Sequence, residues 1–147
     1  MRTLQLTKKM TEKNQLFYGD NLEVLRRHIK DESVDLCYID PPFNSKRNYE
    51  QISNEDKERS LAFTDTWTWD NLANKGLAEI LDNYQGKFTC QSIDLIAGLT
   101  KVLGKDSLLA YLISITLRVV EIYRVLKPTG SFYLHCDPTA SHYLKLV

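Results

Sequence analysis

No stretch of this chain stays apolar for the roughly 20 residues that a bilayer-spanning helix needs, and charges interrupt its longest apolar runs within about ten. Residues Met1 to Gln15 also lack the apolar core of a signal peptide. No membrane contact and a cytoplasmic location are therefore expected. Net charge is absent too: 19 basic residues balance 19 acidic ones. That argues against a small domain holding nucleic acid by electrostatics alone, because phosphate contacts need clustered Lys and Arg. Cysteine is scarce and unpaired. Cys37, Cys90 and Cys136 are odd in number and form no CxxC, so buried free thiols are expected rather than a disulfide framework. Internal repeats, low-complexity tracts and heptad arrays are missing as well.

What is present suits one soluble α/β domain. With 147 residues, 43% hydrophobic and 26% charged, the chain can bury a real core. Residues 1–14 are polar, with Lys8, Lys9, Glu12 and Lys13 but no periodicity, and are expected to form a flexible lead-in. A basic arm on DNA is the functional alternative, weakened by so few charges. Leu16-Phe17-Tyr18-Gly19 reads as a short strand, and Asp20 or Asn21 can cap a helix carrying Leu22, Val24, Leu25 and Ile29. After the break at Asp31-Glu32-Ser33, the run Val34 to Ile39 reads as a buried strand ending at Asp40. Together these form a β-α-β unit with its carboxyl edge at Gly19 and Asp40.

Residues 44–75 read as a long irregular insertion with an aromatic knot at Phe63, Trp67 and Trp69. The tryptophans either dock this loop on the core or serve function, and docking is the favoured reading. Helices are expected over 77–84 and 92–103. A stronger one spans 107–126, where Leu108, Leu112, Ile115, Val119, Ile122 and Leu126 recur at helical spacing. Lys127-Pro128-Thr129-Gly130 stops it. Ser131 to Cys136 is a third strand candidate, and Asp137-Pro138 opens another helix. The order predicts a mostly parallel sheet with flanking helices, whose ligands bind beyond the carboxyl ends of the strands.

Asp40-Pro41-Pro42-Phe43 lies at such an end. Two prolines fix φ and remove two backbone donors, leaving a stiff turn that offers acceptors. Such an array suits an amino group. The exocyclic amine of adenine or cytosine is a poor nucleophile because its lone pair is conjugated into the ring. Acceptors held out of the ring plane favour the tetrahedral nitrogen that attacks. The Asp40 carboxylate and the Pro41 carbonyl can each take one N–H, while Phe43, or more weakly Tyr49, stacks on the base. A base in duplex DNA must first leave the stack, at a cost of a few kcal/mol. An Asp-Pro-Pro-aromatic run is also an ordinary turn after a strand, so context decides.

That context is specific. Phe17-Tyr18-Gly19-Asp20-Asn21-Leu22-Glu23-Val24-Leu25, then Ser33 through Phe43, resembles the opening of the beta-class N6-adenine and N4-cytosine DNA methyltransferases. The likeness continues through Leu126-Lys127-Pro128-Thr129-Gly130-Ser131 and from His135 to Tyr143, and so spans residues 16–147. It implies a Rossmann-like S-adenosylmethionine-dependent methyltransferase fold, here a partial catalytic domain over 15–147 with the 44–75 insertion. It also implies methyl transfer from S-adenosylmethionine to a base in double-stranded DNA. Asp40, where cytosine enzymes often carry Ser, favours adenine N6, with N4-cytosine as the alternative. Asp40, Pro41, Pro42 and Phe43 would be catalytic. Asp20 and the backbone at Asn21 would bind the adenosine part of the cofactor, a role compatible with Asp20 capping a helix. Tyr49, His135 and Asp137 are candidates for the target-base pocket, although His135 and Asp137 can equally be structural. His135, Asp137 and His142 match no standard metal spacing, and no metal is expected.

The chain departs from the family in one respect. Its glycines, at 19, 76, 86, 98, 104 and 130, form no FxGxG or GxGxxG cradle. The isolated chain is therefore expected to bind S-adenosylmethionine weakly, transfer no methyl group alone, and act as a partial, truncated unit. A restriction subunit or a complementary methyltransferase segment is the implied protein partner.

Overall fold

A computed structural model describes residues 14–44, 47–52 and 59–147; residues 1–13 of the expected lead-in lie outside them. The side chains of residues 47–64, Tyr49 and Phe63 among them, also lie outside the described part.

Helix α1 (Asn21–His28) starts where its cap dictates. The Asp20 carboxylate accepts from the backbone N–H of Leu22 at 2.8 Å and of Glu23 at 3.4 Å, satisfying donors the helix leaves orphaned. Arg26, Arg27 and His28 fill its last turn, where positive charge complements the helix dipole. Strand β1 (Val34–Ile39) follows, but it is not the buried strand expected: none of its residues is buried, and Leu36 and Tyr38 are exposed. Its partner is distant in sequence: β4 (Leu126–Leu134) runs parallel to it, with Cys37 opposite Phe132, Tyr38 opposite Tyr133 and Ile39 opposite Leu134. The register is irregular between Val34 and Leu36. Between these strands come an antiparallel hairpin, β2 (Arg47–Ile52) with β3 (Arg59–Asp65), and then α2 (Asn71–Asp82), α3 (Cys90–Leu103) and α4 (Ser107–Val125). Helix α5 (Pro138–Leu144) comes after β4, with Pro138 in its first turn and Asp137 as cap.

Helix α4 organises the core. Leu109, Tyr111, Leu112, Ile113, Ile115 and Ile122 are all buried, more than one face of a surface helix would bury. One side packs with Ile80 of α2 and Ile96 of α3, while another packs Tyr111, Leu112 and Ile115 against Ala140 of α5. Close approach of α2 requires Gly76, because a Cβ there would meet Ile113 Cγ2 at 2.7 Å.

Among the described residues the fold is thus α/β, with five helices, a two-strand parallel sheet and a two-strand antiparallel hairpin, compatible with part of a Rossmann-like arrangement. Several expectations need correction. Leu16 to Gly19 forms no strand: Leu16 and Tyr18 are fully exposed, and no ladder partner lies beside them among the described residues. The described residues of 44–75 are not an irregular insertion, since they hold the hairpin and the first turn of α2, which Asp70 caps by accepting from Ala73. Helix α2 consequently begins six positions before residue 77. Strand β4 begins at Leu126 and ends at Leu134, so Lys127-Pro128-Thr129-Gly130 ends the helix but belongs to the next strand. The cysteines are free, but Cys90 is exposed at the start of α3, and Cys37 and Cys136 are only half-buried. Among the described residues, no helix is long and apolar enough to cross a membrane.

Candidate functional site

Parallel pairing brings the carboxyl ends of β1 and β4 to one edge, and the residues just beyond them meet there. Asp40 succeeds β1, and His135 succeeds β4. The ladder continues one step, with the His135 N–H donating to the Ile39 carbonyl at 3.0 Å. This sets the His135 Nδ1 atom 3.0 Å from Asp40 Oδ1, with both side chains 58% exposed. Phe43 meets the imidazole edge-on, its ring centroid 5.1 Å away at an interplanar angle of 75°. A carboxylate, an imidazole and an aromatic ring therefore share one accessible corner.

Pro41 and Pro42 are half-buried and line a cleft of about 650 Å³ behind this corner. Its apolar wall includes Val24, Ile39, Ile115 and Ile122, and Asn21 and Arg118 stand on its polar side. Arg118 escapes a reading of the sequence. It donates to Asp20 Oδ2 at 2.8 Å through Nη2, to Asn21 Oδ1 at 2.7 Å through Nε, and to Ser114 Oγ at 2.6 Å through Nη1. Burial pulls its guanidinium below the ordinary value, while the Asp20 charge pushes back. The available signal is an arginine set between Ile115 and Ile122 on the apolar stripe of α4, where a cation needs a partner.

Asp20 and Asn21 thus sit together at the start of α1; Asn21 lines the same cleft as Asp40, whereas Asp20 lines a neighbouring one that shares Arg118. The Asp20 carboxylate already accepts two backbone N–H groups and Arg118, and with about four lone-pair sites it retains room for a further donor such as an amino group. Its side chain is 54% exposed. Asp137 caps α5 by accepting from the Ala140 N–H at 3.2 Å, so its carboxylate is engaged structurally beside the corner. Tyr49 lies on β2, and its side chain is outside the described part.

A second feature missed from sequence supports the turn from below. Asn44, immediately after Phe43, has φ +62°, the left-handed region that Asn tolerates better than most residues. Its backbone N–H donates to Asp65 Oδ1 at 2.6 Å, its Oδ1 accepts from the Trp67 N–H at 3.2 Å, and its Nδ2 reaches Ser107 Oγ at 3.4 Å. Both tryptophans dock their segment: Trp67 lies edge-on to Tyr111 at 5.6 Å, and Trp69 packs on the core cluster with its Nε1 on Asn74 Oδ1 at 3.0 Å. Among the described residues, no three His, Cys, Asp or Glu side chains converge as a metal site would require.

The chain matches no protein-family model, no curated protein and no solved structure.

Proposed function

We propose that the corner formed by Asp40, Phe43 and His135 is the amino-group site of an S-adenosylmethionine-dependent DNA methyltransferase acting on adenine N6. The observation that carries this reading is the Asp40–His135 contact at 3.0 Å beside the ring of Phe43, on the carboxyl edge of a parallel strand pair. Ligands of α/β sheets bind at such edges.

S-adenosylmethionine, when bound, supplies an electrophilic methyl group on a sulfonium; sulfur keeps the electron pair of the broken C–S bond as the N–C bond forms. The chain's own residues prepare the nitrogen. Asp40 accepts one N–H of the amine and the Pro41 carbonyl takes the other, which turns the lone pair out of conjugation. Phe43 offers a face or edge to the extruded base, worth roughly 1 to 3 kcal/mol per stacked base. The proton displaced from nitrogen passes to the Asp40–His135 pair. Asp20, with Arg118 behind it, fits the adenosine end of the cofactor.

Fluorescence anisotropy of the full chain with oligodeoxyadenylate, oligodeoxycytidylate and oligothymidylate tests the base preference. Tightest binding to the adenine strand, lost in Asp40→Ala, is the expected result. Tightest binding to cytosine, also lost in Asp40→Ala, would favour the N4-cytosine alternative. Equal affinity for all three, or no effect of Asp40→Ala, would remove the proposal.

One observation favours a second reading, a segment that works only with a complementary chain. Leu36, Tyr38 and Tyr133 share one face of the β1–β4 pair and are 58%, 67% and 58% exposed, whereas parallel sheets are normally covered on both faces. Sedimentation tests it. Self-association relieved by Tyr38→Lys with Tyr133→Lys would mean that this face takes a second chain, as the reading requires; self-association that both substitutions leave unchanged opposes it.

A further inference from the structure

The turn that bears Asp40 has to be held still for its acceptors to act, and two prolines alone do not fix where it points. Asn44, the next residue along the chain, supplies the missing anchor. It is at once strained and fully engaged: with φ +62°, its backbone and side chain make three hydrogen bonds to three different segments. The shortest runs to Asp65, at the end of β3 and 1% exposed. A carboxylate in so dry a place is costly unless its oxygens are used, and a charge-assisted bond to a backbone N–H is among the stronger kinds.

We infer that Asp65, acting through the Asn44 backbone N–H, is the positioning residue of the amino-group site. This rests on the proposed role of the Asp40 turn in holding the amine. The hairpin β2–β3 then has a purpose: it delivers a buried acceptor beneath the turn. Trp67 and Ser107 lock the Asn44 side chain from the loop after β3 and from the start of α4, so the turn is tied to the most buried helix of the molecule. Asp65 is buried away from the accessible corner; it fixes where Asp40 and Phe43 stand relative to His135.

The test uses the full chain with Asp65→Ala, Asp65→Asn and Asn44→Gly, read by amide hydrogen exchange at Asn44, by the NMR ring signals of Phe43 and His135, and by affinity for oligodeoxyadenylate. In Asp65→Ala, Asn44 exchange should accelerate about tenfold or more, the ring signals should move, and affinity should fall about tenfold while the far-UV spectrum is kept. Asp65→Asn retains an acceptor oxygen and should stay within about threefold of wild type. A folded Asp65→Ala chain with unmoved ring signals overturns the inference, as does an Asn variant as impaired as the Ala one. If Asp65→Ala does not fold, Asn44→Gly decides. It keeps the φ and the N–H bond to Asp65 but removes the ties to Trp67 and Ser107, so the ring signals should stay close to their wild-type positions; displaced signals overturn the inference, because the side-chain ties and not Asp65 would then hold the turn. Moved ring signals in Asp65→Ala, with a wild-type chain that binds no oligonucleotide, would uphold the positioning role and sink the functional reading instead.

Discussion

Asp40 and His135 are 95 residues apart in sequence, yet Oδ1 of one lies 3.0 Å from Nδ1 of the other. The contact exists because two strands of different origin run parallel and stop at the same level. Both side chains are more than half exposed, so the pair adds little to stability, about 0.2 to 1 kcal/mol. Asp40→Ala and His135→Ala should leave the melting temperature almost unchanged. A double-mutant cycle on oligodeoxyadenylate affinity should nonetheless show coupling, since each partner orients the other. Additive losses would mean that the two act separately.

Glu121 is the opposite case. It is 1% exposed and takes hydrogen bonds from Lys87 at 2.8 Å, Arg124 at 2.6 Å and Arg26 at 3.3 Å, while Arg26 also pairs with Glu79 and Arg124 with Asp31. Burial alone pushes its carboxyl up, but the hydrogen bonds from Lys87 and Arg124, and then their charges, hold it below the ordinary carboxylate value. A depressed value in the folded state contributes stability that is present above the unfolded value and lost as pH falls through the folded one. Unfolding free energy should therefore drop on acidification below the ordinary Glu range. Glu121→Gln should flatten that acid limb and cost about 1 to 3 kcal/mol at neutral pH, because it leaves three half-buried cations short of their charged partner. Urea titrations at several pH values read both effects.

Gly76→Ala sets helix propensity against packing. Alanine favours a helix by about 1 kcal/mol, but the added methyl would sit 2.7 Å from Ile113 Cγ2 and 3.1 Å from Leu117 Cδ1. Ile113 is buried and its Cγ2 is bonded directly to Cβ, so it has little room to give. Overpacking of this kind costs about 1 to 3 kcal/mol, and the substitution should lower stability by about 1 kcal/mol on balance. A higher melting temperature would mean that α2 moves away from α4 freely.

Tyr111 is fully buried, and no partner for its hydroxyl is found among the described residues. Burial, then the nearby Cys136, Asp137 and Asp65, push its phenol up to about 12, so it stays neutral across the physiological range. An unsatisfied buried hydroxyl is a cost. Tyr111→Phe should be neutral or stabilising by up to about 1 kcal/mol. Marked destabilisation would mean that the hydroxyl is bonded in solution.

Much of the scaffold is legible from residue patterns. The stripe from Leu108 to Ile122 predicts α4 because its period is helical, and the run Val34 to Ile39 predicts β1. The hairpin is not legible: Arg47-Asn48-Tyr49-Glu50-Gln51-Ile52 is polar enough to read as loop, and strand preference is set by neighbours more than by the residue itself. Leu16 to Gly19 fails for the converse reason, since apolar character cannot supply a missing ladder partner. Asp40 can be located at a strand end by sequence, but its contact with His135 depends on the β1–β4 register, which no local pattern encodes. Arg118 and Asp65 stay hidden because a charge amid apolar or mixed residues reveals its partner only in three dimensions.

NMR mapping of oligodeoxyadenylate bound to the full chain tests the central claim most directly. The signals of Asp40, Phe43 and His135 should move together on saturation, and Asp40→Ala should abolish the movement. Perturbations confined to the Arg26–Lys87–Arg124 cluster, or none at all, would contradict it.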